Sequence, residues 1–355
     1  MPTTAEYLND LVAQRESLVE ALTDAGVEAS SEETFSTLVP KAKDKILYDK
    51  ALYNALTNGG RCFAYLFYEV SGNGTNNMDH VSSIPEIDTS NGVWFQSMFS
   101  DCCFVSKFPS IDISKARNIN SMFYGCGAMS RVPDGFTLPP TVTSLNSLFY
   151  GCSVLKELPE LDYSYITSAS NWIAYSGVER LGNMNLHSLT SLNSVFANAK
   201  KLKTIESLEC ENITSATMTF DSCISLEKLP IMSFPKLGSV DRTFRDCSTL
   251  HTISGLNISG ATSIPSTAFE RCSSLANLAI IGSIKVSITL SACPLTVESA
   301  KSVINALVDY SGTANAGKYT VAFSQTTLDL LAEEGATAPN GVTWLEYTSS
   351  KGWNI

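Results

Sequence analysis

A chain of 355 residues with 44% hydrophobic residues and a net charge of −11 is too apolar for wholesale disorder and too acidic to coat nucleic-acid phosphates. No apolar run approaches the roughly 20 residues of a membrane span. The opening MPTTAEYLNDLV has no basic stretch followed by an apolar core, so synthesis in a cytoplasm without ordinary export is expected.

Residues 4–25 read as an amphipathic helix. Leu8, Leu11, Leu18, Leu22 and Ala25 take the a and d positions of three heptads, and Arg15 takes the remaining inner site. Two readings stand: a coiled coil in which the polar Arg15 sets register in a homo-oligomer, a trimer among the options, or a helix packed on its neighbour. That neighbour opens with a capping box, Ser30 to Glu33, and continues through Phe35, Leu38 and Val39. Pro40 interrupts it before Ile46, Leu47, Ala51, Leu52 and Leu56 resume the apolar pattern, making residues 1–60 an attachment or oligomerisation segment. The segment Ser71–Asp79, SGNGTNNMD, is rich in oxygen ligands but lacks the acidic density and spacing of a calcium loop. An insertion loop is the expected reading.

From there the chain repeats. A phenylalanine position recurs at Phe99, Phe123, Phe149, Ile173, Phe196, Phe220, Phe244 and Phe269, with spacings of 24, 26, 24, 23, 24, 24 and 25 residues. Three residues later stand Cys102, Cys126, Cys152, Ser176, Ala199, Cys223, Cys247 and Cys272, and in every coil but that of Ser176 apolar residues follow three and six places on. A Thr-Ser or similar pair precedes each phenylalanine, and an earlier, divergent unit runs from Phe67 through Ile84–Ile87. A coil of about 24 residues cannot bury its own apolar side; stacking turns each framework position into a row of like residues. The expected fold is an α+β repeat solenoid over residues 61–293, an array of about eight to nine coils of ~24 residues.

The pattern F-x-x-C-x-x-L-x-x-[IL]-P, with Thr-Ser pairs between, resembles the BspA-type leucine-rich repeats of bacterial surface proteins and of phages that infect gut bacteria. The stretch LVAQRESLVEALTDAGVEASSEETFSTLVPK resembles N-terminal segments of tail-associated proteins in such phages and prophages. The resemblance implies adhesion or recognition, with a virion tail or fibre as the setting and the bacterial surface as the alternative. The implied partners are other virion proteins through the N-terminal helix and a host-surface glycan or protein through the solenoid.

The cysteines read as framework. Neighbours in such a row lie ~4.8 Å apart, inside the disulfide range, but their Cβ vectors run parallel rather than converging. The row also accepts Ser176 and Ala199, which suits a small buried residue and not a metal ladder or redox relay. His80, His187 and His251 fall at unrelated phases, so neither a metal site nor a nucleophile–base pair emerges, and no cofactor or enzymatic activity is expected.

Five residues after the cysteine position lie Lys107, Arg131, Glu157, Thr204, Lys228, Thr252 and Asn277, with Arg180 equivalent in the shorter coil and Lys156, Lys203 and His251 one residue earlier. On the predicted strand these form a polar, mildly basic stripe and the candidate ligand surface, weighed against a merely solvated sheet face.

Residues 294–355 read as an α/β capping unit. Thr296 caps a helix carrying Val297, Ala300, Val303, Ile304, Leu307 and Val308; a strand Tyr319–Phe323, a helix around Leu328–Leu331 and the ending GWNI follow. The end segments "SAKSVINALVDY … KGWNI" resemble C-terminal caps of phage and gut-bacterial repeat proteins of this type.

Overall fold

The structure, a computed structural model, describes residues 15, 16, 19, 20, 23, 29–33, 63, 64, 66, 67, 82–84 and 86–355. Leu8, Leu11, Leu18, Leu22 and the Ser71–Asp79 loop lie outside them. Arg15 is helical and half-buried. One of the two bonds of the Ser30–Glu33 box is present, the Ser30 amide donating to Glu33 Oε1 at 3.0 Å; the Ser30 hydroxyl accepts instead from the Glu32 amide, at 3.2 Å, and the Glu33 amide donates to the Ser30 carbonyl. The chain divides into two compact units, Met1–Tyr165 and Ile166–Ile355.

The spacing of three between phenylalanine and cysteine is a turn. In every described coil with that pair, the cysteine amide donates to the phenylalanine carbonyl, as from Cys102 to Phe99 and from Cys272 to Phe269. In the last coil Glu270 has φ −58° and ψ 129° and Arg271 has φ 58°, which are the angles of a type II β-turn. The residue two after the phenylalanine is left-handed throughout: Asp101, Gly125 and Gly151 in the first unit, Tyr175, Asn198, Ser222, Asp246 and Arg271 in the second. A second left-handed position lies two before it, at Ser97, Ser121, Ser147, Asn171, Ser194, Met218 and Arg242. Left-handed backbone is unfavourable for residues with a Cβ. Here it aims the amide out of the coil, so that Asp101 donates to Tyr124 O and Ser222 to Arg245 O of the following coil.

Inside the turns the rings stack. In the first unit Phe67, Phe99, Phe123 and Phe149 stand 5.5, 5.4 and 5.7 Å apart, and the divergent early unit thus joins the row. In the second, Phe196, Phe220, Phe244 and Phe269 stand 5.1, 5.9 and 5.1 Å apart. Fully burying each ring stabilises the fold by about 1.5–3 kcal/mol, with about 0.5–1.5 kcal/mol more per stacked pair.

The cysteines are buried, as their framework role requires, and they do more than fill space. Each thiol donates to the phenylalanine carbonyl of the preceding coil: Cys126 to Phe99 at 3.1 Å, Cys152 to Phe123 at 3.0 Å, Cys223 to Phe196 at 3.0 Å and Cys247 to Phe220 at 3.1 Å. The hydroxyl of Ser176, in the same row position, is buried with no hydrogen-bond partner among the described residues.

In the second unit five strands form a parallel sheet in sequential order: β1 (Arg180–Asn185), β2 (Thr204–Glu209), β3 (Lys228–Ser233), β4 (Thr252–Asn257) and β5 (Asn277–Ile280). Their second residues, Leu181, Ile205, Leu229, Ile253 and Leu278, are buried, and so are the fifth residues of the first four, Met184, Leu208, Met232 and Leu256. The first unit corrects the expectation of a strand in every coil. Lys107 makes a single parallel bridge with Ser83, and Arg131, Lys156 and Glu157 lie in no strand. Ten residues after the phenylalanine those coils carry Pro109, Pro133 and Pro159, whereas the second unit has Glu206, Pro230, Ser254 and Ala279. Proline has no N–H to give to a ladder. Pro230, the one proline at this repeat position in the second unit, has the same effect: β1–β2 and β3–β4 each pair at five positions, but β2 meets β3 only at Thr204↔Lys228.

Beyond β5, helix α1 (Val297–Ala306) starts at the Thr296 cap and closes the open sheet edge with hydroxyls. The Leu278 amide donates to Ser299 Oγ and the Ile280 amide to Ser302 Oγ, both at 2.9 Å. Three short parallel strands, β6 (Ile288–Leu290), β7 (Tyr319–Phe323) and β8 (Trp353–Asn354), lie in that order. They accompany helices α2 (Gln325–Glu333) and α3 (Trp344–Ser350). Buried Lys351 donates to the Ile304 and Asn305 carbonyls at the end of α1, where a cation suits the helix dipole; burial holds its pKa below the usual lysine range.

Candidate functional site

The strand starts of the second unit line up. Arg180 pairs with Thr204, Thr204 with Lys228, Lys228 with Thr252 and Thr252 with Asn277, so five of the residues in the sequence-predicted stripe form one registered row. At these strand starts the pairing is in register, the shift between β4 and β5 lying beyond Ile253, so equivalent residues stand side by side about 4.8 Å apart, with the framework residues at the second and fifth positions turned inward. Arg180, Lys228 and Asn277 are exposed, while Thr204 and Thr252 are half-buried.

The remaining predicted residues have other settings. Lys203 precedes β2; its amide donates to the Glu179 carbonyl and its Nζ lies 3.2 Å from Glu179 Oε2, so its charge is already matched. His251 holds the same position before β4, with Nδ1 3.0 Å from Thr252 Oγ1. In the first unit Arg131 faces Asp134 at 3.4 Å, and Lys107, Lys156 and Glu157 are exposed.

The next outward positions complete a surface that the stripe alone did not reveal. A groove of about 270 Å³ is lined by Arg180, Thr204, Glu206, Lys228, Pro230 and Ser254, among others. Beside it Ile231 is 59% exposed and Ile281 51% exposed. A Cβ built on Gly255 would stand 3.2 Å from Ile231 and 3.3 Å from Ile281, so the two side chains flank a saddle where Gly255 has none. The same repeat alignment contains these positions; their value emerges only when strand register sets them side by side.

A second groove in this unit, about 530 Å³, runs along the turn side past Lys200, Ile224, Asp246 and Arg271. Two of its charges are paired with each other, Arg271 reaching Asp246 at 3.0 Å, and in the neighbouring coils Arg245 grips buried Asp221 through two bonds of 2.6 and 2.8 Å. His187 lies between Glu209 at 3.1 Å and Glu211 at 2.6 Å. In the first unit a cavity of about 470 Å³ is lined by Asp88, Asp112 and Asp134. The Ser90 and Ser114 hydrogen bonds hold the Asp88 and Asp112 carboxyls below the usual range. Among the described residues no group of three or more His, Cys, Asp or Glu is arranged to hold a metal ion. No helix among them is long and apolar enough to cross a membrane.

Burial pushes the thiols of Cys126, Cys152, Cys223 and Cys247 well up, and that of Cys210 to about 12. Such thiols are poor nucleophiles.

Solved structures similar to the chain are leucine-rich-repeat proteins. A leucine rich cell surface protein from Faecalibacterium prausnitzii A2-165 is 17% identical, with 75% of this chain and 78% of that one covered and a TM-score of 0.33. A leucine-rich repeat protein from Eubacterium ventriosum ATCC 27560 is 17% identical over 56% of this chain and 73% of that one, with a TM-score of 0.31. No curated protein matches the chain. Residues 73–163 match a Mycoplasma protein family of unknown function, DUF285. Residues 119–251 and 175–292 match the BspA type leucine rich repeat region in six copies, and this part of the chain is a leucine-rich-repeat solenoid.

Proposed function

We propose that the protein is a non-enzymatic recognition protein that binds a macromolecular ligand on its strand face. The observation that carries this reading is the registered row Arg180, Thr204, Lys228, Thr252 and Asn277, polar side chains that the framework does not use. In this reading residues 61–293 are a solenoid of about eight to nine coils, residues 294–355 its cap and residues 1–60 its attachment segment.

The proposed setting is a phage tail or fibre carrying a host-surface ligand-binding arm, supported by the resemblance of both end segments to tail-associated and phage repeat proteins. Mass spectrometry of purified virions tests it; absence of the protein from them overturns it. The second reading, a bacterial surface adhesin, is favoured by the match to BspA-type repeats. Surface labelling of the cells that make the protein separates the two.

A further inference from the structure

We propose that the strand face of β1–β5 docks an acidic polypeptide segment that carries an aliphatic or aromatic side chain beside its carboxylates. The proposal deepens the reading of this face as the binding surface and rests on it.

Charge is the first reason. The chain is acidic, at −11 overall, yet among the described residues neither Arg180 nor Lys228 has a carboxylate within salt-bridge distance. They stand two strands apart, about 10 Å by strand spacing, on either side of Thr204. Glu206 in the same groove leaves a net positive charge there and offers an acceptor to a peptide N–H.

Apolar surface is the second reason. Ile231 and Ile281 are more than half exposed and flank the Gly255 saddle, one strand beyond Lys228. A ligand that satisfies both regions places a carboxylate between Arg180 and Lys228 and an apolar side chain against the isoleucines. The five strands, RLGNMN, TIESLE, KLPIMS, TISGLN and NLAI, contain no aromatic residue on which a pyranose could stack, which favours a peptide over a glycan.

The test pans a displayed library of random twelve-residue peptides on the full chain, on the double variant Arg180→Glu/Lys228→Glu and on Ile231→Asp. An array of uronic-acid oligosaccharides is probed in parallel. All three positions are exposed, and thermal melts check that the variants fold. The expected wild-type pool is several-fold enriched in Asp or Glu within two residues of Ile, Leu, Phe or Trp, with binding that weakens several-fold between 50 and 300 mM salt. The charge reversal should lose the acidic enrichment, and Ile231→Asp the apolar one. An oligosaccharide bound by the wild type and released by the charge reversal, without acidic peptides, overturns the peptide assignment and leaves the binding face standing. Pools that are the same for all three proteins, with no oligosaccharide bound, overturn both.

Discussion

The turn corner and the strand corner of each coil obey different rules. At the turn corner Phe99, Phe123 and Phe149 in one unit do what Phe196, Phe220, Phe244 and Phe269 do in the other, each ring stacked on the next within 6 Å. At the strand corner the units part: Pro109, Pro133 and Pro159 leave the first with an isolated bridge, and the second builds five strands. Turns bonded within the coil define the repeat, and the sheet is added wherever the chain keeps its N–H groups. The surface freest to vary is thus the one that carries the candidate site.

If the turn corner holds the fold, its thiols give the largest effect. The buried cysteines have native pKa values raised above that of an unfolded thiol, so the unfolded chain releases protons first as pH rises. Their contribution is complete below about pH 8.5 and is lost as pH climbs toward the native values. At pH 9.5 each such thiol should withdraw about 1.4 kcal/mol, several kcal/mol for the row. Denaturant melts at pH 7.5 and 9.5 measure this, and Cys223→Ala with Cys247→Ala should make the fall shallower. A pH-independent midpoint would break the assignment.

Next in size is Phe220→Ala, which removes a ring stacked on both sides and should destabilise by about 3–5 kcal/mol. Lys228→Ala on the strand face should stay within about 0.5 kcal/mol in the same denaturation experiment. Equal losses would erase the distinction between the corners.

The proline rule is tested by exchange. Ser254→Pro should strip the β3–β4 ladder toward the single pair seen between β2 and β3, at a loss of about 1–3 kcal/mol. Pro230→Ser should do the reverse and slow amide hydrogen exchange in β3. Unchanged exchange in both would mean that another feature limits pairing.

The left-handed backbone should give effects of opposite sign at two positions. Ser222, with φ 60°, should accept glycine with a gain of about 0.5 kcal/mol in the unfolding midpoint, whereas Gly151→Val, at φ 72°, should lose about 2 kcal/mol.

The phenylalanine, cysteine and leucine rows were legible because stacking repeats one environment every ~24 residues and one environment selects one residue type. The stripe was legible for the same reason, down to the register of Arg180, Thr204, Lys228, Thr252 and Asn277. The turn type was half legible: a spacing of three announces a closed turn, but Met218, Arg242 and Arg271 give no sign of a left-handed backbone. The neutralised charges of Lys203 and Arg131 were hidden, because Glu179 and Asp134 matter only once the backbone sets their distance.

By itself the amino-acid order determined the period, the framework and the side of each coil left to water, since these follow from which residues must leave water together. Tertiary structure alone decided where a sheet forms, that each thiol donates to the carbonyl of the coil before it, and that Ile231 and Ile281 meet over Gly255. Those outcomes depend on hydrogen bonds and contacts between residues a full coil apart, which acquire their geometry only when the coils stack.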